Sequence, residues 1–254
     1  MTVDFGKTAD DYARHRAGFP PEFFARLERL GLLRQGMAAL DLGAGTGTIA
    51  LGLAARGAAV AALDPAAAML AQAAARAKAL GLALRMIEAK AESTGLPGAA
   101  FDLVIAGQCW HWFDRPRAAA EARRLLKPGG TLLMAHFDWL RLRGGVVAAT
   151  EDLILKHNPA WPSAGKSAPY PAWYIDLRDG GFGAIESFGF ETDVPYTHEA
   201  WRGRIRASAG IAASLPPERV AAFDAEHAAL LARDFPADPL AVPHRCWAVW
   251  GTKP

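Results

Sequence analysis

Ala39-Leu40-Asp41-Leu42-Gly43-Ala44-Gly45-Thr46-Gly47 is the stretch that decides the fold. An apolar run, Ala38–Leu42, ends in three alternating glycines, and a helical pattern, Thr48–Arg56, follows and stops at Gly57. This reads as a buried strand, a glycine turn, and a helix with a C-terminal glycine. Glycine is needed where the backbone turns sharply and a ligand must press on main-chain amides. The helix N-terminus adds partial positive charge beside that turn. The glycine spacing alone does not choose a ligand, because dinucleotide-binding folds share it and a tight turn can exist without one. A Walker A loop is excluded, since no Gly-Lys-Ser/Thr follows.

Two acids flank the turn. Asp41 stands two residues before the first glycine, where its charge would repel a pyrophosphate and attract a cation. Asp64 ends the next apolar run, Val60–Leu63, where it can accept hydrogen bonds from ribose hydroxyls or cap the helix that Pro65 opens.

Outward from this unit the alternation continues. A helix is expected at Pro21–Arg34, another from Asp64-Pro65 to about Leu80, and a third from Asp114-Pro116 to Leu126. Strands are expected at Leu84–Glu88, Phe101–Ala106 and, after a Lys127-Pro128-Gly129-Gly130 turn, Thr131–His136. Strands alternating with helices predict a parallel sheet with crossover helices. The second half is less regular, with helices expected at Val146–Lys156, Thr197–Ala213 and Pro217–Arg233. Strands are expected at Ala184–Phe190 and Arg245–Gly251, and Asn158–Pro171 reads as a loop.

Composition narrows the class. Of 254 residues, 52% are hydrophobic and 21% charged, which is globular rather than disordered. A net charge of +2 gives no basic stripe for nucleic acid or an anionic membrane. No run of about 18 apolar residues occurs, so no membrane span is expected, and the polar start lacks an apolar targeting segment. Cys109 and Cys246 are far apart without metal spacing, and read as reduced thiols in a cytoplasmic protein, Cys109 as a small buried hydrophobe. No metal is expected.

The turn, Leu63-Asp64-Pro65 with Met69, Lys90-Ala91-Glu92 and Phe101-Asp102-Leu103-Val104 together resemble class I methyltransferases that use S-adenosylmethionine (SAM). The resemblance covers about residues 37–137. Gln108-Cys109-Trp110-His111-Trp112-Phe113-Asp114 looks like the QxxHW segment of a subgroup that includes trans-aconitate methyltransferase-like proteins, and Tyr12, Arg16 and Pro20 resemble its N-terminal lid. The resemblance implies a single Rossmann-like domain over 1–254, α/β, with a seven-stranded sheet parallel but for one antiparallel strand and helices on both faces. Its core would be about 37–137 with 184–190 and 245–251; lid or acceptor-recognition elements would be about 1–20, 138–180 and 197–240. The resemblance further implies that Gly43, Ala44, Gly45, Thr46 and Gly47 lie against the methionine part of SAM and that Asp41 faces its amino end. Asp64 would hold the ribose, Pro65 and Met69 pack on adenine, Ala91 and Glu92 meet the adenine edge, and Gln108 sit beside the methionine tail. Tyr12 and Arg16 would close over the cofactor.

Methyl transfer from a sulfonium is an in-line displacement in a dry pocket. Trp110, Trp112, Trp139, Tyr170 and Trp173 are candidates for the acceptor wall, and His111 for a base or orienting group. Arg14, Arg141, Arg143 and Arg202 are candidate carboxylate partners. The reading is therefore methylation of a small molecule, an organic acid carboxylate or a hydroxyl, by a monomer or homodimer. Two alternatives stay open: a SAM-binding module without turnover, and an NAD-dependent oxidoreductase.

Overall fold

A computed structural model describes residues 17–162 and 164–254. Seven strands form one sheet in the order β3-β2-β1-β4-β5-β7-β6. They are β1 (Ala38–Leu42), β2 (Ala59–Asp64), β3 (Leu84–Glu88), β4 (Phe101–Gly107), β5 (Leu126–Trp139), β6 (Gly183–Tyr196) and β7 (Leu240–Thr252). Pairing is parallel from β3 through β5. β7 runs the other way: Gly129 and Gly130 exchange main-chain hydrogen bonds with Lys253, while Leu140 donates to Pro243, so the start of β5 meets the end of β7. This is the Rossmann-like α/β sheet, parallel except at one strand, that the sequence resemblance implied.

The helices are α1 (Pro21–Arg29), α2 (Thr48–Ala54), α3 (Ala67–Ala79), α4 (Arg115–Leu125), α5 (Val146–His157), α6 (Pro171–Asp179), α7 (His198–Arg206) and α8 (Pro217–Asp234). The chain leaves α1 earlier than the apolar pattern suggested, because Gly31 turns left-handed (φ 72). Asp114 caps α4 as expected, accepting from the Arg117 amide at 3.3 Å. The Lys127–Gly130 turn exists, but as a bulge inside β5, since the register jumps from Phe101↔Leu126 to Leu103↔Thr131. α6 was not anticipated: it is nine residues long and buries only Trp173 and Leu177, too few positions for a clear helical period.

The described residues fall into two compact units. One comprises Gly18–Phe137, Ala168–Phe190 and Cys246–Pro254, and its core joins Leu40, Leu63, Val104 and Met134 of the sheet to Trp110, Trp173 and Trp247. The other holds Ala17, residues 138–162 and 164–167, and Glu191–Arg245, packed around Ile154, Trp201, Phe223 and Leu231. The first carries the glycine turn and is the frame of the candidate site.

Candidate functional site

Parallel pairing puts the carboxyl ends of β1, β2, β4 and β5 on one edge, and the chain breaks away there after Leu42, Asp64, Gly107 and Trp139. Ligands of open α/β sheets bind beyond these ends. The turn after β1 has φ of 66, 55 and 81 at Gly43, Gly45 and Gly47. It is fastened to β2 by the Ala44 amide donating to Leu63 O (2.9 Å) and closed by the Gly47 amide on Ala44 O (2.8 Å). Arg76 of α3 steadies Thr46 by donating to its carbonyl (3.0 Å) and hydroxyl (3.2 Å).

The three glycines are not equivalent. A Cβ at Gly43 would meet Cys109 Sγ at 2.9 Å and Phe113 Cζ at 3.1 Å, and one at Gly47 would meet Ala73 Cβ at 3.0 Å. One at Gly45 would meet nothing within 4 Å. Gly45 is therefore bare main chain facing open space, a floor that a side chain would fill.

Asp64 ties its own strand tip to that floor. One carboxylate oxygen accepts from the Gly45 amide and the other from the Ala66 amide, both at 2.9 Å. It does not cap α3, whose first turn has no side-chain cap. Each oxygen keeps a second lone pair, so hydroxyl donors can be accepted beside the turn. Pro65 is exposed and Met69 half-buried on the same segment.

Asp41 departs from expectation. It is buried (2% exposed) and accepts from the Ala50 amide inside α2 at 3.0 Å, so it fastens helix to strand and offers no exposed charge to a ligand. Burial is the main cause that pushes its carboxyl up to about 8, and the nearby charge of Asp64 adds to this against the Ala50 hydrogen bond. Ala91 is buried in the core, and Glu92 holds the Asp114 amide at 2.9 Å, bracing the start of α4.

Gln108 follows β4 with φ 63, a conformation rare for a side-chain-bearing residue. Its amide donates to Ala135 O (2.8 Å) and its Nε2 to Phe137 O (2.9 Å), so β5 locks it in place. Cys109 is half-buried, not a plain core residue: its thiol donates to Leu42 O at 3.0 Å directly under Gly43. Trp110 corrects an expectation too. It is fully enclosed, with its indole donating to Asp176 at 2.9 Å, and so belongs to the core and not to an acceptor wall. Trp173, 3% exposed, is also core, stacked at 4.7 Å on the half-buried Tyr170.

His111 and Trp112 are exposed beyond β4, with ring centroids 4.8 Å apart. His136, near the end of β5, was not singled out by the sequence. Its ring lies 5.5 Å from His111, 4.6 Å from Tyr170 and 4.9 Å from Trp173. Its place at a strand's carboxyl end was the available signal. Trp139 lies in the other unit, where it donates to Glu151 at 2.9 Å and packs against Trp201. Arg141 is held by Glu151 and Asp152, and Arg202 by Asp224, while Arg143 is exposed. Tyr12, Arg14 and Arg16 lie outside the described residues. Among the described residues, no group of three or more His, Cys, Asp or Glu could hold a metal ion, and no helix is long and apolar enough to cross a membrane.

Residues 40–134 match the family model for a methyltransferase domain. The fold is Rossmann-like, and the match to the methyltransferase domain model falls on its first five strands. Among similar proteins, an uncharacterized methyltransferase of Mycobacterium tuberculosis is 34% identical over 163 residues, which are 61% of this chain. The chain spans 63% of that relative's length. The structure of a candidate type II methyltransferase from Anaeromyxobacter dehalogenans superposes with a TM-score of 0.64 at 28% identity, covering 93% of this chain and 97% of that one. A phosphoethanolamine N-methyltransferase from Haemonchus contortus, solved with phosphomonomethylethanolamine and S-adenosylhomocysteine, shares the fold at 19% identity with a TM-score of 0.58, covering 98% of this chain and 57% of that one.

Proposed function

We propose that this chain transfers a methyl group from SAM to a small-molecule acceptor. The observation that carries the reading is the bare floor at Gly45, hydrogen-bonded at 2.9 Å to an acid that ends the neighbouring strand. A zwitterionic nucleoside needs a floor that its methionine part can lie against and an acceptor for its ribose hydroxyls, and this corner offers both. The order of the sheet supports it against a dinucleotide: an antiparallel β7 stands between β5 and β6, whereas the dinucleotide fold ends in parallel strands 4-5-6.

When bound, the cofactor supplies an electrophilic methyl group on a sulfonium. The chain's own residues orient and shield. Gly45 lets the main chain come close while Gly43 and Gly47 let the turn pack on Cys109 and Ala73, Asp64 orients the ribose, and Pro65 and Met69 flank the base. Gln108, locked by β5, presents its main chain beside the turn. His111 accepts the proton of a hydroxyl, thiol or amine acceptor through a neutral imidazole; a carboxylate acceptor needs no base, and His111 then only orients it.

Calorimetric titration of SAM into the wild type, Asp64→Ala and Gly45→Val tests the reading. Expected is saturable binding by the wild type, weakened roughly 10-fold or more without the Asp64 acceptor and abolished by Val on the floor. NADH binding with no SAM binding would overturn it.

A further inference from the structure

A cleft of about 450 Å³ opens between α4 and α6, wholly within the first unit. Pro116, Ala120 and Arg123 line it from one helix, Asp176 and Asp179 from the other, and Lys253 from just beyond β7. The two helices touch where α6 ends: a Cβ at Gly180 would meet Ala119 Cβ at 3.1 Å, and one at Gly181 would meet Arg123 Nε at 3.1 Å. The Lys253 main chain pairs with Gly129 and Gly130 at the start of β5, so the cleft reaches the sheet edge opposite the glycine turn.

The charges facing this space are unevenly satisfied. Arg124, also on its wall, is held by Glu121 at 2.7 Å and donates to Leu96 O at 2.8 Å. Asp176 accepts from Arg115 at 3.1 Å and from the Trp110 indole at 2.9 Å. The other three are left over. Asp179 is exposed and ends α6, where the helix dipole disfavours a negative charge. Among the described residues its carboxylate has no hydrogen-bond or ion-pair partner. Arg123 is exposed and donates only from Nε, to Gly181 O at 3.4 Å. Lys253 donates to Leu126 O at 2.6 Å. Among the described residues neither cation is paired with a carboxylate, and Arg123 and Asp179 do not pair with each other although they face the same space.

We propose that this cleft binds an acidic amino acid, a small zwitterion with two carboxylates and one ammonium. Two cations and one acid without partners are the complement of that charge pattern. Arg123 keeps both terminal nitrogens for a bidentate carboxylate, and Lys253 keeps two ammonium protons for the other. Asp179 accepts the ammonium, and Pro116 and Ala120 give the methylenes an apolar wall. The two cations alone would also suit phosphate or a simple dicarboxylate, but Asp179 would repel either one. The site stands apart from the methyl-transfer reading: it requires no methyl donor, and Lys253 anchors it at the far edge of the sheet. It shares one wall residue with the segment after β4, since Asp176 holds Trp110, the neighbour of His111.

Calorimetric titration of the full chain, without SAM, with L-glutamate, L-glutamine, glutarate and inorganic phosphate tests this. Glutamine lacks one of the carboxylates and glutarate lacks the ammonium. Expected is saturable glutamate binding, with each of the other three at least about 3-fold weaker. Arg123→Gln and Asp179→Asn, both at exposed positions, should each weaken glutamate roughly 3- to 10-fold. Asp179→Asn should at the same time tighten glutarate, a crossing that a general loss of structure cannot produce. Arg117→Gln, exposed on α4 but outside the cleft, leaves glutamate affinity unchanged. No saturable glutamate binding up to about 50 mM, glutarate or phosphate bound as tightly as glutamate, or a glutamate affinity unaltered by both Arg123→Gln and Asp179→Asn overturns the assignment.

Discussion

Replacing Asp41 by Asn is expected to change the pH dependence of stability more than stability itself. The carboxyl is buried, and its affinity for protons rises from an ordinary value of 3.8 to about 8 on folding. Between those limits the folded chain keeps a proton that the unfolded chain has lost. Stability therefore falls as pH rises through that window and levels off above about 8, the direction opposite to an ion-paired carboxylate. Each pH unit is worth about 1.36 kcal/mol, so between pH 5 and pH 8 the wild type should lose roughly 3–4 kcal/mol from this one group. The Asn variant carries no charge, and its oxygen can still accept from the Ala50 amide. Its buried NH2 adds a cost of about 1–3 kcal/mol, but that cost does not vary with pH. Urea unfolding of both proteins at pH 5, 6, 7 and 8 isolates the effect, because every other titrating group cancels in the comparison. The expected result is an Asn variant weaker than wild type at pH 5 and gaining on it with each unit. A difference that stays constant within about 0.5 kcal/mol would refute the reasoning, and would mean that water or a rearrangement hydrates Asp41.

Glu121 should behave in the opposite sense. Arg124 first, with Thr94, holds its carboxyl down to about 2, so its contribution is complete above the ordinary value of 4.5 and lost as pH falls toward 2. Glu121→Gln is expected to flatten the acid limb of the stability profile, read by thermal melts from pH 2 to 6; an unchanged limb counts against the ion pair. At the turn, Gly43→Ala is expected to cost about 2–4 kcal/mol, since a methyl at φ 66 also meets Cys109 and Phe113. Gly45→Ala, strained at φ 55 but facing open space, should cost only about 1 kcal/mol. Equal losses in urea midpoints for the two would contradict the distinction between a packed glycine and an open one.

The first unit was legible because its signals are local. Ala38–Leu42 and Leu84–Glu88 are strands at the expected residues, since short apolar runs between glycines and an Asp-Pro pair have few other readings. Asp64 was visible as a strand-tip acid for the same reason. What stayed hidden is whatever depends on the third dimension. Strand alternation says nothing about whether a side chain at position 41 points toward the ligand or into α2, and Asp41 points into α2. The aromatic segment after β4 shows why composition misleads there: Trp110 and Trp112 are two residues apart, yet one is fully enclosed and the other 56% exposed. Among the arginines, the pairing of Arg202 and Arg206 with Asp224 joins positions about twenty residues apart on different helices, which no spacing rule reports.

The two acids at the turn divide the work of building it. Asp64 can be reached by solvent, and both of its oxygens hold amides that would otherwise point outward at a strand end. Its role needs a charge, because an acceptor for several donors at once is strongest when ionised. Asp41 sits one layer deeper, where a charge is costly and one hydrogen bond to Ala50 suffices. An acid nonetheless occupies that position. The two carboxyls repel each other when both are ionised, and the deeper one takes up the proton. A cation held beside the turn would relieve that repulsion and draw Asp41 toward its ionised form. Binding of a cationic nucleoside should therefore release a fraction of a proton near pH 7 in the wild type and none in Asp41→Asn. The measurement is the dependence of binding heat on the ionisation enthalpy of the buffer. An anionic ligand would take up protons instead of releasing them, so the sign of the slope separates a sulfonium from a pyrophosphate without reference to the shape of the turn.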